Sequence, residues 1–274
     1  MPELESAPPS SRSVGPMLQY WRKARRMSQL GLANEAEVSP RHVCFVETGR
    51  AKPSREMVVR LATVLDVPLR ERNALLLAAG FAPLYPEAGL DARELAPVRR
   101  ALDAMLAQQE PYPAVVMSRR WDILKTNGAA DRLFAFLLAG RALGDAPNVL
   151  RAVFHPDALR PHIENWDVVA ESLVQRAQRE SLGGVVDPAT AALVAEVLAY
   201  PGVPAHVGRR GAPTPMLPVV PVVFARDGQR FAFFSTVTTL GSPQDVTVQE
   251  LRIECFFPTD EETAARARAL AGSS

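Results

Sequence analysis

Residues 27–50 read MSQLGLANEAEVSPRHVCFVETGR, and this stretch decides the front of the chain. Ser28 is a good N-cap, and the helix it opens at Gln29 turns Leu32 and Ala33 inward. A turn at Glu37-Val38 leads to a second N-cap, Ser39, with Pro40 at the first helical position, where a missing N–H costs nothing. The second helix runs to Thr48 and stops at Gly49. Val43 and Val46, three residues apart, face inward, so Arg41, His42 and Phe45 face outward near the helix start. Two short helices joined by a tight turn, the second with a polar leading end, make a helix-turn-helix. In that motif the second helix enters the major groove of double-stranded DNA and its first residues reach base edges. Arg41 can donate two hydrogen bonds to guanine O6 and N7, and Phe45 suits either a thymine methyl or packing on the next turn. Arg50 and Lys52, just past the helix, are placed for phosphates.

Charge supports a polyanion at this end. The chain has 274 residues and a formal net charge of +1, but its first 80 residues hold 12 Lys/Arg against 8 Asp/Glu. Between Arg12 and Arg60 the count is 10 against 4. A basic front on a neutral-to-acidic body meets nucleic acid with its front; ordinary surface charge is the plainer alternative. The composition, 47% hydrophobic and 22% charged, is that of a folded globular protein. No apolar run is long enough to cross a membrane and no secretory leader is visible. The two cysteines, Cys44 and Cys255, are far apart, which fits a reducing cytoplasm.

The pattern divides the chain into a loose Pro/Ser-rich tail at 1–15, a helical domain at 16–80, a linker at 81–91, a second domain at 92–260, and a C-terminal helix or tail at 261–274. In the second domain a helix over 91–109 precedes AVVMSRRWDILKTN, which reads as two strands meeting at Ser118–Arg120, the second holding Trp121. Helices follow over 129–140, 148–182 (interrupted near His155-Pro156 and Pro161) and 188–199, then a Pro/Gly-rich loop over 200–218. LPVVPVVFARDGQRFAFFSTVTTLG reads as a hairpin turning at Asp227-Gly228, with Pro221 at an edge or strand start. VTVQELRIECFFP reads as a further, half-buried strand, with Leu251, Ile253, Cys255 and Phe257 inside and Glu250, Arg252 and Glu254 in solvent. The expected class is therefore α+β. An all-α helix-turn-helix domain precedes one antiparallel sheet of about five strands flanked by helices, most of them inserted between strands two and three.

Arg22, Ser28-Gln29, Leu32-Ala33, Val38-Ser39, Val46-Glu47, Gly49-Arg50, Pro53-Ser54, Leu61-Ala62 and Leu65 resemble the DNA-binding domain of lambda-repressor/Cro-like (xenobiotic-response-element) regulators. The resemblance implies that Arg22 and Glu47 form a partly buried ion pair, and that Gln29 binds phosphate. The chain departs from the pattern at Glu37, where such regulators usually carry glycine; a side chain there strains a positive φ. The remainder resembles the MmyB-like regulators. The matching stretches are Glu110–Ala114, Arg120–Asp122 with Asn127, Phe154–Pro156, Asn165-Trp166, Ala199–Val203, Phe234–Thr239 with Pro243–Asp245, Glu250–Glu254, and Phe256–Pro258. That resemblance implies a PAS-like fold and an apolar pocket for a small lipophilic ligand such as a fatty acid.

The expected DNA-binding set is Gln29, Ser39, Pro40, Arg41, His42, Phe45, Arg50 and Lys52, and the expected partner is a double-stranded operator read by a homodimer. Trp121, Phe134, Phe154, Trp166, Phe233 and Phe256 are core residues first and candidates to line a ligand cavity second. Arg119 or Arg120 is either a partner for a ligand carboxylate or part of a solvated turn. His155 before Pro156 reads as a structural histidine, and His162 and His206 have no partner at metal spacing. Ser235, Thr236, Thr238 and Thr239 suit strand propensity and lack a nucleophile elbow; no Gly-rich phosphate loop or HExxH occurs. An enzyme, a metal site and a resident cofactor are therefore not expected. The competing reading is a helix-turn-helix protein whose second domain only dimerises or binds a protein.

Overall fold

A computed structural model of the chain describes residues 13–144, 147–182, 188–208 and 219–272. Most of the expected tail, part of the expected 200–218 loop and the last two residues lie outside the described residues. The chain forms two compact units. The first spans residues 1–88 together with 180–187 and 242–249, and the second takes the rest.

In the first unit α1 (Val14–Ala24), α2 (Gln29–Glu35), α3 (Pro40–Glu47), α4 (Arg55–Val64) and α5 (Leu69–Ala78) enclose a core that includes Leu18, Trp21, Leu32, Val43, Val46, Leu61 and Leu65. Three serines start three of these helices. Ser28 Oγ accepts from Gly31 N at 2.9 Å, Ser39 Oγ from His42 N at 3.1 Å, and Ser54 Oγ from Met57 N at 3.2 Å. The expected tail ends too late. Val14 is buried and already helical, because α1 packs its start against the end of α3. The contact is so close that a Cβ on Gly15 would lie 2.6 Å from both the Val46 and the Glu47 carbonyl oxygens. Glu37 adopts φ 54°, as the departure from glycine at that position implies. A left-handed conformation costs a residue with a Cβ about 1–2 kcal/mol. The turn is nevertheless held by Val38 N donating to Ala33 O at 2.9 Å.

The second unit opens with a 3-10 turn at Arg93–Leu95 and α6 (Ala96–Gln109), shorter than the helix expected from 91. Then come β1 (Ala114–Met117), β2 (Ile123–Thr126), α7 (Gly128–Leu137), α8 (Val149–Phe154), α9 (Trp166–Leu182) and α10 (Pro188–Leu198). The hairpin of β3 (Val222–Arg226) and β4 (Gln229–Thr238) turns on Asp227 and Gly228, both at positive φ, as a tight two-residue turn requires. After α11 (Val246–Glu250), β5 (Arg252–Pro258) enters the middle of the sheet, and α12 (Glu261–Gly272) closes the chain. The five strands form one antiparallel PAS-like sheet in the order β2-β1-β5-β4-β3. The fold is α+β, with an all-α helix-turn-helix part and an antiparallel sheet flanked by helices. α12 belongs to the second unit, with Ala267 in its core and Thr263 Oγ accepting from Ala232 N at 3.1 Å.

Both edges of the sheet are capped by chain. Beside β3, Glu164 N donates to Val223 O at 2.9 Å, and Asn165 Oδ1 accepts from Val223 N at 3.0 Å. Beside β2, Ile123 N donates to Pro147 O at 2.8 Å. Two expectations for strands fail. Trp121 lies in the turn before β2 with φ 66°, held by Trp121 N to Ser118 O at 3.0 Å and Val149 N to Trp121 O at 2.9 Å. Residues 246–250 are helical, although Val246 and Val248 favour strands. Asp245 Oδ1 accepts from Val248 N at 3.2 Å, so a cap overrides propensity.

Residues 242–249 interrupt the sheet between β4 and β5 and cluster with the first unit. There Val246 N donates to Pro86 O at 2.8 Å, Ala88 N to Asp245 Oδ2 at 3.1 Å, and Leu69 N to Gln249 Oε1 at 2.7 Å. The tight α1–α3 approach sets a test. Gly15→Ala is expected to lower stability in chemical denaturation of the full chain by about 1–3 kcal/mol, the cost of overpacking against backbone that cannot move away.

Candidate functional site

The leading end of α3 is open to solvent. Ser39, Pro40, Arg41, Arg50 and Lys52 are exposed, while His42 and Phe45 are half-buried. Val43 and Val46 are in the core, so the helix presents the expected face outward. The Arg41 guanidinium lies over the Phe45 ring, 5.0 Å from its centroid. This contact lays both side chains along the exposed face and leaves guanidinium edges for acceptors. Ser39 contributes its cap, and its Oγ is already an acceptor for His42 N. Arg50 and Lys52 form no ion pair among the described residues.

What fixes the angle of α3 is an ion pair beneath it. Arg22 of α1 donates from Nε to Glu47 Oε1 at 2.6 Å and from Nη2 to Glu47 Oε2 at 2.8 Å. Its Nη1 donates to Met27 O at 2.9 Å, and the Gln29 amide donates to Glu47 Oε2 at 2.7 Å. Arg22 and Glu47 are 8% and 6% exposed, so the pair is withdrawn from water and fully bonded. The Glu47 hydrogen bonds push the Arg22 guanidinium above its ordinary pKa. One N–H of Gln29, at the start of α2, is thus spent on Glu47.

The second unit holds a cavity of about 140 Å³ between the sheet and α7, α8 and α9. Of the six aromatic residues expected around a cavity, Phe134, Phe233 and Phe256 line it, with Val115, Met117 and Phe224 beside them. Trp121, Phe154 and Trp166 do not. Phe154 and Trp166 pack edge to face with centroids 5.5 Å apart, and Trp166 Nε1 donates to Val153 O at 2.8 Å, so their rings are spent on the core. Trp121 sits behind the wall, under the Arg176 guanidinium at 4.6 Å. Its indole N–H is buried with no hydrogen-bond partner among the described residues. Neither Arg119 nor Arg120 lines the cavity; Arg119 pairs with Glu250 at 3.2 Å. His155 accepts from Asp157 N through Nδ1 at 3.2 Å and packs against Tyr200. Burial pushes the Cys255 thiol up.

The polar end of the cavity consists of residues absent from the expected set. Arg176 Nη1 donates to Glu254 Oε2 at 3.0 Å, and Ser235 Oγ donates to Glu254 Oε1 at 2.6 Å. Glu254, expected in solvent, is 7% exposed. The reason is that both faces of β5 are covered: α6 lies over Ile253 and Cys255, and the cavity lies over Glu254 and Phe256. Ser172 is the other polar lining residue. Among the described residues no group of three or more His, Cys, Asp or Glu could hold a metal ion, and no helix is long and apolar enough to cross a membrane.

Comparison with known families matches residues 98–270 to the MmyB-like transcription regulator ligand-binding domain. The chain belongs to the MmyB-like regulator family. Residues 18–72 match the helix-turn-helix family. This MmyB-like regulator is thus a DNA-binding transcription regulator with a ligand-binding domain. No curated protein matches it. One solved structure similar to it is described as "Structure of an RNA-binding Light-Oxygen-Voltage Receptor". The identity is 11%, 97% of this chain is covered, and the chain spans 64% of that structure's length. The TM-score of 0.31 makes that likeness too weak to bear on fold or function.

In this regulator α3 depends on the Arg22–Glu47 pair. Glu47→Ala strands Arg22 without its counter-charge, and chemical denaturation is expected to show a loss of about 3–5 kcal/mol.

Proposed function

We propose that this regulator works in the cytoplasm as a homodimer, each copy laying α3 in the major groove of one half-site of a double-stranded operator. Its affinity for that operator is set by a small apolar molecule, of the class to which fatty acids belong, held in the second unit. The observation that carries the reading is the exposed, cation-bearing start of α3 in a chain that also holds a cavity walled by Phe134, Phe224, Phe233 and Phe256. One helix start reaches only a few base pairs, so specificity calls for two copies about one helical turn apart. Within each copy Arg41 reads a base edge with help from His42 and Phe45, and Gln29, Ser39, Arg50 and Lys52 hold phosphates. Pro40 sets the helix start against the backbone.

A guest changes DNA binding only if it favours one arrangement of the protein over another. The route is covalent. Ser235 on β4 and Glu254 on β5 line the cavity, and the stretch joining these strands, 242–249, is built into the first unit by its bonds to Leu69, Pro86 and Ala88. A guest that moves β4 against β5 therefore pulls on that stretch.

Denaturing extraction and mass spectrometry of the purified full chain is expected to release an apolar small molecule. Stripping and reloading it should change operator affinity at least about fivefold, the low end of ordinary allosteric coupling. An extract free of any small molecule, or equal affinity with and without it, contradicts sensing and favours a second unit that only dimerises.

A further inference from the structure

We propose that Phe45 is a positioning residue for Arg41. Its ring holds the guanidinium as a fixed fork, and α3 thereby selects guanine over adenine at the base pair Arg41 meets, a choice that rests on the reading of α3 as the groove-entering helix and names the base it takes. Arg41 and Phe45 stand one turn apart on α3, the spacing at which side chains of a helix meet. The guanidinium lies over the ring, 5.0 Å from its centroid. Phe45 is half-buried, yet it is not among the apolar side chains that form or pack on the core of the first unit. The ring is therefore not spent on the core, and the contact it does make is with Arg41. The backbone beneath Arg41 is already set, by Pro40 at the first helical position and by Ser39 Oγ accepting from His42 N at 3.1 Å. What remains loose is the exposed Arg41 side chain itself, and the ring restrains it.

That restraint decides what the arginine can tell apart. A loose guanidinium gives one N–H to N7 of either purine, or swings to a phosphate, and adds affinity with little choice of base. Guanine presents two acceptors side by side, O6 and N7, whereas adenine presents N7 beside the N6 donor. A guanidinium carries donors only. A fork held with two N–H groups forward is matched by guanine and sets donor against donor on adenine. The rival role for the ring is its own contact with a thymine methyl, which would act on a neighbouring base pair.

The test selects bound duplexes with the full-length protein at moderate salt from two random-sequence pools. One pool is ordinary DNA, and in the other uracil replaces thymine, which removes only the methyl group. Wild type, Arg41→Ala, Phe45→Leu and Phe45→Tyr are run in parallel. Wild type is expected to enrich the same motif from both pools. Phe45→Leu keeps an apolar side chain and loses the ring. It should lose guanine preference about two- to fivefold at the position where Arg41→Ala loses it and nowhere else, the worth of a cation–ring contact at an exposed site. Phe45→Tyr should keep that preference. Full guanine preference in Phe45→Leu, or a loss spread evenly over the motif, overturns the positioning role. So does a thymine preference beside that guanine that vanishes in the uracil pool, a result read on wild type alone even if Phe45→Leu does not fold. Arg41→Ala with every preference intact, or a wild type that enriches nothing, overturns the reading of α3 itself.

Discussion

A carboxylate withdrawn from water has to take its counter-charge with it, and the placing of α3 depends on that rule. Glu47 ends the helix whose start faces outward, and Arg22 reaches it from α1 with two parallel hydrogen bonds. The same guanidinium holds Met27 O, just before α2, so one side chain ties three pieces of backbone together. Gln29 adds a fourth bond to the same carboxylate. The apolar core of the first unit turns Val43 and Val46 inward and so sets which face of α3 is outward; the bidentate pair adds bonds of fixed direction between the end of α3 and α1. Gly15 shows how tight the result is, since it admits α1 to within contact of the last carbonyls of α3.

The second unit uses the same rule for a different end. Arg176 and Glu254 pair at the polar end of an apolar space and form part of its wall. Trp121 pays for its position beneath that wall with a left-handed backbone and an indole N–H that has no partner among the described residues. Strain of this kind persists only where surrounding bonds over-determine the geometry, and it gathers at working sites. The sheet closes off its own edges with the segments at 147 and 163–165, which leaves its inner face, rather than its rim, as the surface able to hold a guest.

Much of this was legible in the residues. Caps at Ser28 and Ser39, Pro40 at the first turn and Gly49 beyond the last are local signals, and local signals locate helices well. The hairpin at Asp227-Gly228 and the insertion of helices before β3 followed from turn chemistry and period. What was hidden was tertiary. Nothing nearby in sequence tells that α6 covers the outer face of β5, so alternation along that strand reads as core and solvent when both faces are enclosed. A signal was nonetheless present: Phe256 was a candidate for the cavity wall, and Glu254 lies two residues away on the same strand, hence on the same face. Likewise Val169, Leu173 and Arg176 recur at helical spacing along α9, which puts the arginine on the apolar stripe. The aromatic residues misled in the other direction. Trp121, Phe154 and Trp166 are large and apolar enough to line any cavity, and only packing reveals that Trp166 and Phe154 satisfy each other.

The central claim is that the start of α3 reads base pairs. The most direct measurement is selection of bound duplexes from a random pool by the full-length protein at moderate salt, run in parallel with Arg41→Ala. The account predicts that wild type enriches a motif of two half-sites about one helical turn apart, and that the variant loses preference at one base pair in each half. A wild-type pool that stays random after repeated rounds, with binding that varies only with salt, would contradict it.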